Sequence, residues 1–360
     1  MQGKGILPGQ ALRGRGAASN VAGRFEGAVR EAVDDGWDIP EEERVVRTEV
    51  REERARSALS YNQSPDLDFD RAVNPYRGCE HGCVYCYARP THAFLNLSPG
   101  LDFETKLIAR PGIGELLRKE LSAKGYSPKV IVLGSNTDPY QPLEATARVT
   151  REVVEVLRDF RHPLGITTRG SLVERDLDVL APMAAEGLCR VGISLTTLDA
   201  GLARKMEPRA PAPARRLQMI RRLSEAGVPV RVMVSPVIPA LTDHEVEAIL
   251  EAAKEAGAVA ASSIMLRLPL EVAGLFRDWV EATFPDRAGR VMGRVRELHG
   301  GRDYDPAFGT RFRGQGVWAD LMRQRFDKAC ARVGLAQRMP PMRVDLFRVP
   351  PRAGDQMELF

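Results

Sequence analysis

A chain of 360 residues, 44% hydrophobic and 28% charged, has the makeup of an ordinary globular protein, and one large domain plus appendages is expected. No apolar run approaches the roughly 18 residues of a membrane span. The opening MQGKGILPGQALRGRG lacks the apolar core of a signal peptide, so no membrane partner and a cytoplasmic location are expected. Five cysteines, three of them clustered, do not read as a disulfide framework and suit a reducing compartment.

The net charge of +4 conceals an uneven distribution. Residues 1–30 hold five Lys/Arg against one acid, and residues 31–60 hold ten acids against five bases. From Asp286 to Arg352 fifteen Lys/Arg stand against seven acids. A basic C-terminal third suits a polyanion such as nucleic acid; an arginine-rich surface with no such partner has the same composition.

In chain order, residues 1–60 read as a peripheral, partly flexible N-terminal arm. GRGAASNVAGRF is rich in Gly, Ala and Arg, and EEERVVRTEVREERARSAL is charged enough for a tail or a solvated helix. Trp37 in DDGWDIP is the residue to pin the arm to the body. Residues 61–270 form the core. Apolar, β-branched runs stand at VIVLGS (130–135), PLGITT (163–168), RVGISLTT (190–197), VPVRVMVSPVI (228–238) and VAASSIMLR (259–267). Between them TREVVEVLRDF, ERDLDVLAPMAAEG, PARRLQMIRRLSEAG and DHEVEAILEAAKEAG space their apolar residues by three and four, and several end in Gly. Strand starts recur every 27 to 38 residues, as βα units in a parallel sheet do. With a strand just before residue 74, six units result. The fold class is α/β, a partial (βα)6 TIM-like barrel. Residues 271–345 read as a helical C-terminal extension, with one apolar face through Trp318, Leu321, Met322, Phe326, Ala329, Cys330 and Val333. Residues 346–360 are a flexible Pro/Arg-rich tail.

This register puts each unusual polar segment after a strand: SNTDPYQPLE (135–144), TTRGS (167–171), SLTTLD (194–199), SPVIP (235–239) and MLRLP (265–269). Ligands of such barrels bind at the C-terminal strand ends, so the segments should converge on one mouth.

The first of them, NPYRGCEHGCVYCYARPTH, runs from Asn74 to His92. Cys79, Cys83 and Cys86 are spaced C-x3-C-x2-C, with Tyr85 just before the last. Three thiolates on one short loop make a metal or cluster site. Zinc would need a fourth ligand, which His81 or His92 could supply.

This spacing resembles that of the radical S-adenosylmethionine (SAM) enzymes, and the partial barrel is the fold the resemblance implies. In that family three thiolates hold a [4Fe–4S] cluster whose open iron chelates SAM, and reductive cleavage of SAM gives a 5′-deoxyadenosyl radical. A flavodoxin- or ferredoxin-type electron donor is implied with it. NPYRGCEHGCVYCYARPTH and NTDPYQPLE together resemble the spore photoproduct lyase-related branch, over about residues 55–345. The resemblance implies that Thr137 and Asp138 bind the amino end of SAM; a turn-forming role before Pro139 is the other reading of Asp138. Arg169 falls where that branch carries a lysine facing the SAM carboxylate, a change that keeps charge but not geometry. Ser194 would reach the ribose or carboxylate, or be a small strand residue. The Tyr85 backbone would contact adenine. Glu207 and Arg209 in MEPRAP face substrate or make a salt-bridged turn.

One departure from the branch matters. Spore photoproduct lyase has a cysteine just before the matching pair, where this chain reads Gly134-Ser135-Asn136. Cys189 and Cys330 read as core residues, leaving Tyr87 or Tyr140 as candidates to relay hydrogen. At the other end, Gln356-Met357-Glu358-Leu359-Phe360 resembles the pentapeptide by which bacterial replication and repair proteins dock on the DNA sliding clamp, with a Gln donor and Leu/Phe anchors. The leading expectation is a radical SAM enzyme of nucleic-acid repair or modification. The alternatives are radical chemistry on protein, tRNA or a small metabolite, and a non-catalytic metal-binding clamp adaptor.

Overall fold

The computed structural model describes residues 14–26 and 46–351. Its strands are β1 (Glu49–Glu52), β2 (Leu59–Tyr61), β3 (Arg71–Val73), β4 (Tyr76–Arg77), β5 (Lys106–Ala109), β6 (Ile131–Leu133), β7 (Leu164–Thr168), β8 (Cys189–Ser194), β9 (Val230–Val237) and β10 (Ala260–Met265). Seven of them form one sheet in the order β10-β9-β8-β7-β6-β3-β2. Six, β3 and β6 to β10, are mutually parallel, and β2 is antiparallel at the edge. Every run expected to be a strand is one, and the strand before the cysteine loop is β3.

Parallel strands are covered on both faces, so they read as nearly continuous apolar runs; β6 is buried throughout. The helices Val149–Asp159, Leu177–Ala185, Pro213–Glu225 and Val246–Glu255 lay their apolar stripes on the sheet through Val153, Leu157, Leu180, Ile220 and Leu250, all fully buried. Each such side chain contributes roughly 1.5–3 kcal/mol relative to exposure. Cys189 and Cys330 sit in this core.

Two features depart from the sequence reading. A second sheet of three strands, ordered β1-β5-β4, ties Glu49–Glu52 to the segment after the cysteine loop. Its sequence EVRE is exposed at all four positions, so no apolar alternation marks it. Second, the C-terminal region is not helical throughout. The helices Glu271–Thr283, Pro285–Leu298 and Val317–Val333 are interrupted by a loop, 299–316, across the open edge of the sheet. There Met265 N–H donates to the Phe312 carbonyl at 2.9 Å, and Gly309 N–H donates to Asp66 at 2.8 Å. The loop thus spans from β10 to the turn after β2 and, with the bridge between Ala260 and Ala336, meets backbone groups that the β10 edge would otherwise leave unpaired. A second apolar cluster, including Val272, Phe276 and Val295, packs the first two of these helices against Cys83, Val84 and Tyr85.

The last described residues run along the N-terminal ends of the strands. Arg343 N–H donates to the Gly187 carbonyl and Arg348 N–H to that of Phe160, both at 3.0 Å. Among the described residues no helix is long and apolar enough to cross a membrane. Trp37 and the Gln356–Phe360 motif lie outside the described residues.

Candidate active site

The loops after the parallel strands meet at one cavity of about 460 Å³, within the roughly 300–1,000 Å³ of small-molecule sites. The eight residues expected to hold the cluster and SAM line it, Cys79, Cys83, Cys86, Tyr85, Thr137, Asp138, Arg169 and Ser194, whereas Glu207, Arg209, Tyr140 and His92 do not. A parallel sheet brings them together because all its C-terminal ends lie on one side.

The cysteine loop is held from behind. Arg89 is fully buried and donates from Nε to the Cys83 carbonyl at 3.0 Å and from Nη1 to the Gly100 carbonyl at 3.0 Å. It pairs with the equally buried Glu104. The Glu104 carboxylate in turn accepts from Gly16 N–H at 2.9 Å and Ala17 N–H at 2.8 Å. A Cβ on Gly16 would lie 1.7 Å from the Gly82 carbonyl oxygen, so only glycine lets residues 14–17 press on the loop. Thr48 donates to Glu80 at 2.6 Å from the same side. Two short pieces of the arm therefore cover the loop's outer face, which their composition does not reveal.

Burial pushes the Cys79 thiol well above its ordinary pKa, with the Asp138 charge and the other two cysteines adding to the shift. Burial likewise lifts Cys83 to about 12, against the opposing charge of Arg169, whose Nη1 donates to Cys83 Sγ at 3.1 Å. Buried thiols of this kind ionise when a metal centre supplies compensating charge.

Across the cavity, Gly134 turns the chain after β6 at φ +89°, where a Cβ would meet the Thr167 carbonyl at 2.0 Å. Asp138 Oδ1 then accepts from Thr168 Oγ1 at 2.6 Å and Tyr140 N–H at 2.9 Å, and Oδ2 from Arg169 N–H at 2.9 Å. His81 Nδ1 is 3.4 Å from Oδ2. Burial works against its charge, but His81, Thr168 and the Arg169 amide hold Asp138 at about 2. The carboxylate thus knots three loops, the turn-forming role among its two readings. Thr137 is turned inward and donates to the Tyr76 carbonyl at 2.9 Å. Ser194 is buried, and its carbonyl accepts from Arg216 Nη1 at 3.2 Å.

Arg169 Nη1 also donates to Tyr85 Oη at 2.8 Å and to Glu207 at 2.6 Å. Glu207 is buried, takes the hydroxyl of Tyr85, and is paired with Arg216 as well as Arg169. Burial opposes its charge, yet the two guanidiniums hold it at about 2. Of its two readings the salt-bridged one is realised, deep under the mouth rather than at the surface. Arg216 has no sequence signal, because it lies among other arginines in an amphipathic helix. Arg209 pairs with Glu80 at 3.1 Å. Of the two tyrosines, Tyr87 lines the cavity and donates to the Ser135 carbonyl at 2.6 Å, whereas Tyr140 is buried and donates to Asp176 at 3.0 Å. Arg267 and Phe312, also in the cavity wall, are not legible in sequence.

The family model described as the Radical SAM superfamily matches residues 73–253. The chain belongs to the radical SAM superfamily. An uncharacterized protein of Mycobacterium tuberculosis (strain H37Rv) is 33% identical over 83% of this chain and 85% of its own length. One from Methanocaldococcus jannaschii is 26% identical over 55% of this chain and 71% of its own length. Among solved structures, spore photoproduct lyase complexed with dinucleoside spore photoproduct superposes with a TM-score of 0.58, at 14% identity, covering 80% of this chain and 81% of that one. A variant of that lyase with bound AdoMet and the same dinucleoside gives a TM-score of 0.57 at 14% identity over the same shares of the two chains. The shared fold is that of spore photoproduct lyase, and the family's cofactors are a [4Fe–4S] cluster and SAM.

The residues present fit those cofactors. Three thiols share one cavity wall, and the buried Ser235 Oγ, also in that wall, has no hydrogen-bond partner among the described residues. A single-ion site is not assembled: no three His, Cys, Asp or Glu side chains among the described residues converge to hold one metal. His92, one of the two histidines offered to zinc, has Nε2 2.9 Å from the Lys106 carbonyl, and His81 faces Asp138.

Proposed function

We propose that this chain is a radical SAM enzyme of nucleic-acid repair or modification in which Cys79, Cys83 and Cys86 ligate the cluster. The observation that carries the reading is the convergence of those thiols with Thr137-Asp138, Arg169 and Ser194 on one cavity. The cluster, when bound, supplies the electron that cleaves SAM to methionine and the 5′-deoxyadenosyl radical. The protein's part is to bind and orient. Asp138 holds the 135–138 turn, whose polar groups with Thr137 would receive the amino end of SAM, and Ser194 and Ser235 would offer further polar contacts. Glu207 and Arg216 fix the Arg169 guanidinium beside Cys83. Tyr87, in the cavity wall with its hydroxyl on the Ser135 carbonyl, takes the hydrogen-relay role in place of the cysteine missing at 134–136.

Nucleic acid is supported by exposed positive charge in the C-terminal third. Several arginines of the basic third are paired, as Arg296 is to Asp303 and Arg325 to Glu247. Arg287, Arg290, Arg302 and Arg313 are exposed and make no ion pair among the described residues, and the last two lie within the 299–316 loop, which also carries Arg311 and Phe312 of the cavity wall. By fold-level analogy, the lyase bound to a dinucleoside photoproduct points the same way. The reading includes a flavodoxin- or ferredoxin-type electron donor, a cytoplasmic setting and sliding-clamp docking through Gln356–Phe360, the last from sequence alone.

The test is anaerobic reconstitution, iron and sulfide analysis, and detection of 5′-deoxyadenosine after reduction with SAM. SAM cleavage is expected, and changing Cys79, Cys83 or Cys86 to Ala should abolish the brown cluster absorbance. A fully loaded protein that cleaves no SAM would end the enzymatic reading, and an intact cluster in a Cys→Ala variant would end the ligand assignment.

A further inference from the structure

Arg267 stands just beyond β10 on the cavity wall. Its guanidinium lies over the ring of Tyr87, 4.6 Å from the centroid, and over that of Phe312 at 4.4 Å. Arg311 lies 4.7 Å from the same Phe312 ring and 4.7 Å from that of Phe308. Tyr87, Arg267, Phe312, Arg311 and Phe308 thus form one series of alternating rings and guanidiniums, from the residue after Cys86 outward to the surface.

The two arginines differ in charge balance. Arg311 is compensated by Asp66 at 2.7 Å and bonded to Ser64 at 2.6 Å. Arg267 has no carboxylate partner among the described residues. Its electrostatic neighbours are the hydroxyl of Tyr87, that of Tyr304, with which it shares a hydrogen bond, and the like charge of Arg311. Burial, then Arg311, pulls its pKa down, but a guanidinium keeps its proton in proteins. The rings repay part of the desolvation, about 0.5–2 kcal/mol for a cation–π contact. A half-buried cation with rings beside it and no acid to meet its in-plane N–H groups is built for an oxyanion. At the outer end Phe308 is 61% exposed, leaving a large apolar ring open for stacking.

We propose that Arg267 receives one phosphodiester of a nucleic-acid strand while the exposed Phe308 ring stacks an adjoining base, so that a single unstacked nucleotide enters the cavity. The proposal rests on the nucleic-acid reading above and sharpens it to single-stranded substrate. In a duplex each base is already stacked between neighbours and cannot reach such a pocket without leaving the helix.

The test is fluorescence anisotropy of the full chain with its cluster against a labelled mixed-sequence single strand and the duplex of the same sequence, across a range of salt. The single strand should bind more tightly. Phe308→Ala, at an exposed position that does not hold the core, should weaken single-strand binding roughly 5- to 150-fold, the measured range for losing one base–aromatic stack. Arg267→Gln should weaken binding and lower the salt slope by about 0.7, one phosphate contact on a single strand; Arg267→Lys should keep the slope. If the wild type binds the single strand but all three variants match it in affinity and slope, the receptor assignment falls while the nucleic-acid reading stands. Equal affinity for duplex overturns the unstacked-nucleotide claim. No binding of either form by the wild type overturns both.

Discussion

Two carboxylates hold the mouth together, by different means. Glu207 is caught between Arg169 and Arg216, and Asp138 is wrapped by hydroxyl and amide donors and His81. Removing one partner of a buried pair costs about 3–5 kcal/mol because it strands a charge, so such groups act as positional locks more than as net stabilisers. At the opposite end of the barrel His162 is buried and neutral. Its Nε2 lies 2.8 Å from Tyr126 Oη and its Nδ1 3.1 Å from the Pro163 carbonyl, and burial holds its pKa at about 4. The unfolded chain protonates this imidazole near pH 6.5. Its contribution is therefore full above pH 6.5 and is lost as pH falls toward 4, about 2 kcal/mol by pH 5. His92 and His299 are shifted in the same direction by burial. Urea unfolding at pH 7, 6 and 5 should show stability falling, with a shallower fall in His162→Gln; parallel slopes would refute the assignment.

At the scale of elements, the cysteine loop depends on pieces distant in sequence. Residues 14–17 reach it through the Gly16–Gly82 contact and the two amides on Glu104. Gly16→Val must lift this strap, opening the Arg89–Glu104 pair behind Cys83 to water. The strap contributes no strand to either sheet, so far-UV circular dichroism should be unchanged while the reconstituted cluster bleaches in air several times faster than in the wild type. Equal bleaching rates would show that the strap does not shield the loop. The 299–316 loop is the counterpart on the far wall: its pairing with β10 carries Arg311 and Phe312 into the cavity.

Over the whole molecule, the cavity with the three cysteines lies at one end of the barrel and the C-terminal segment at the other. Phe347 packs on Tyr126, His162 and Phe160, at the N-terminal strand ends, and Gln356 follows the last described residue, Pro351, by only five positions. Docking of a sliding clamp through Gln356–Phe360 belongs to the proposed function. Deleting those residues should weaken sliding-clamp binding and spare SAM cleavage; equal clamp binding by both forms would remove the docking idea.

The strands and the mouth were legible in the chain because parallel βα units carry a period, and because a period fixes which loops share an end. The C-x3-C-x2-C spacing was legible because three thiols on one loop have few other uses. The partners of those residues were not. Arg216 and Arg267 look like any arginine of an Arg-rich chain, Gly16 like any glycine of a loose arm, and Arg169 and Asp138 reveal their bonds only when β6, β7 and the cysteine loop are side by side. A local pattern determines what a segment is, whereas charge compensation and close backbone approach are properties of pairs far apart in sequence. The sequence by itself determined the barrel and the chemistry its thiols are suited to. Only the tertiary structure decided which charges are paired, which glycine closes the loop, and which guanidinium is left facing the cavity.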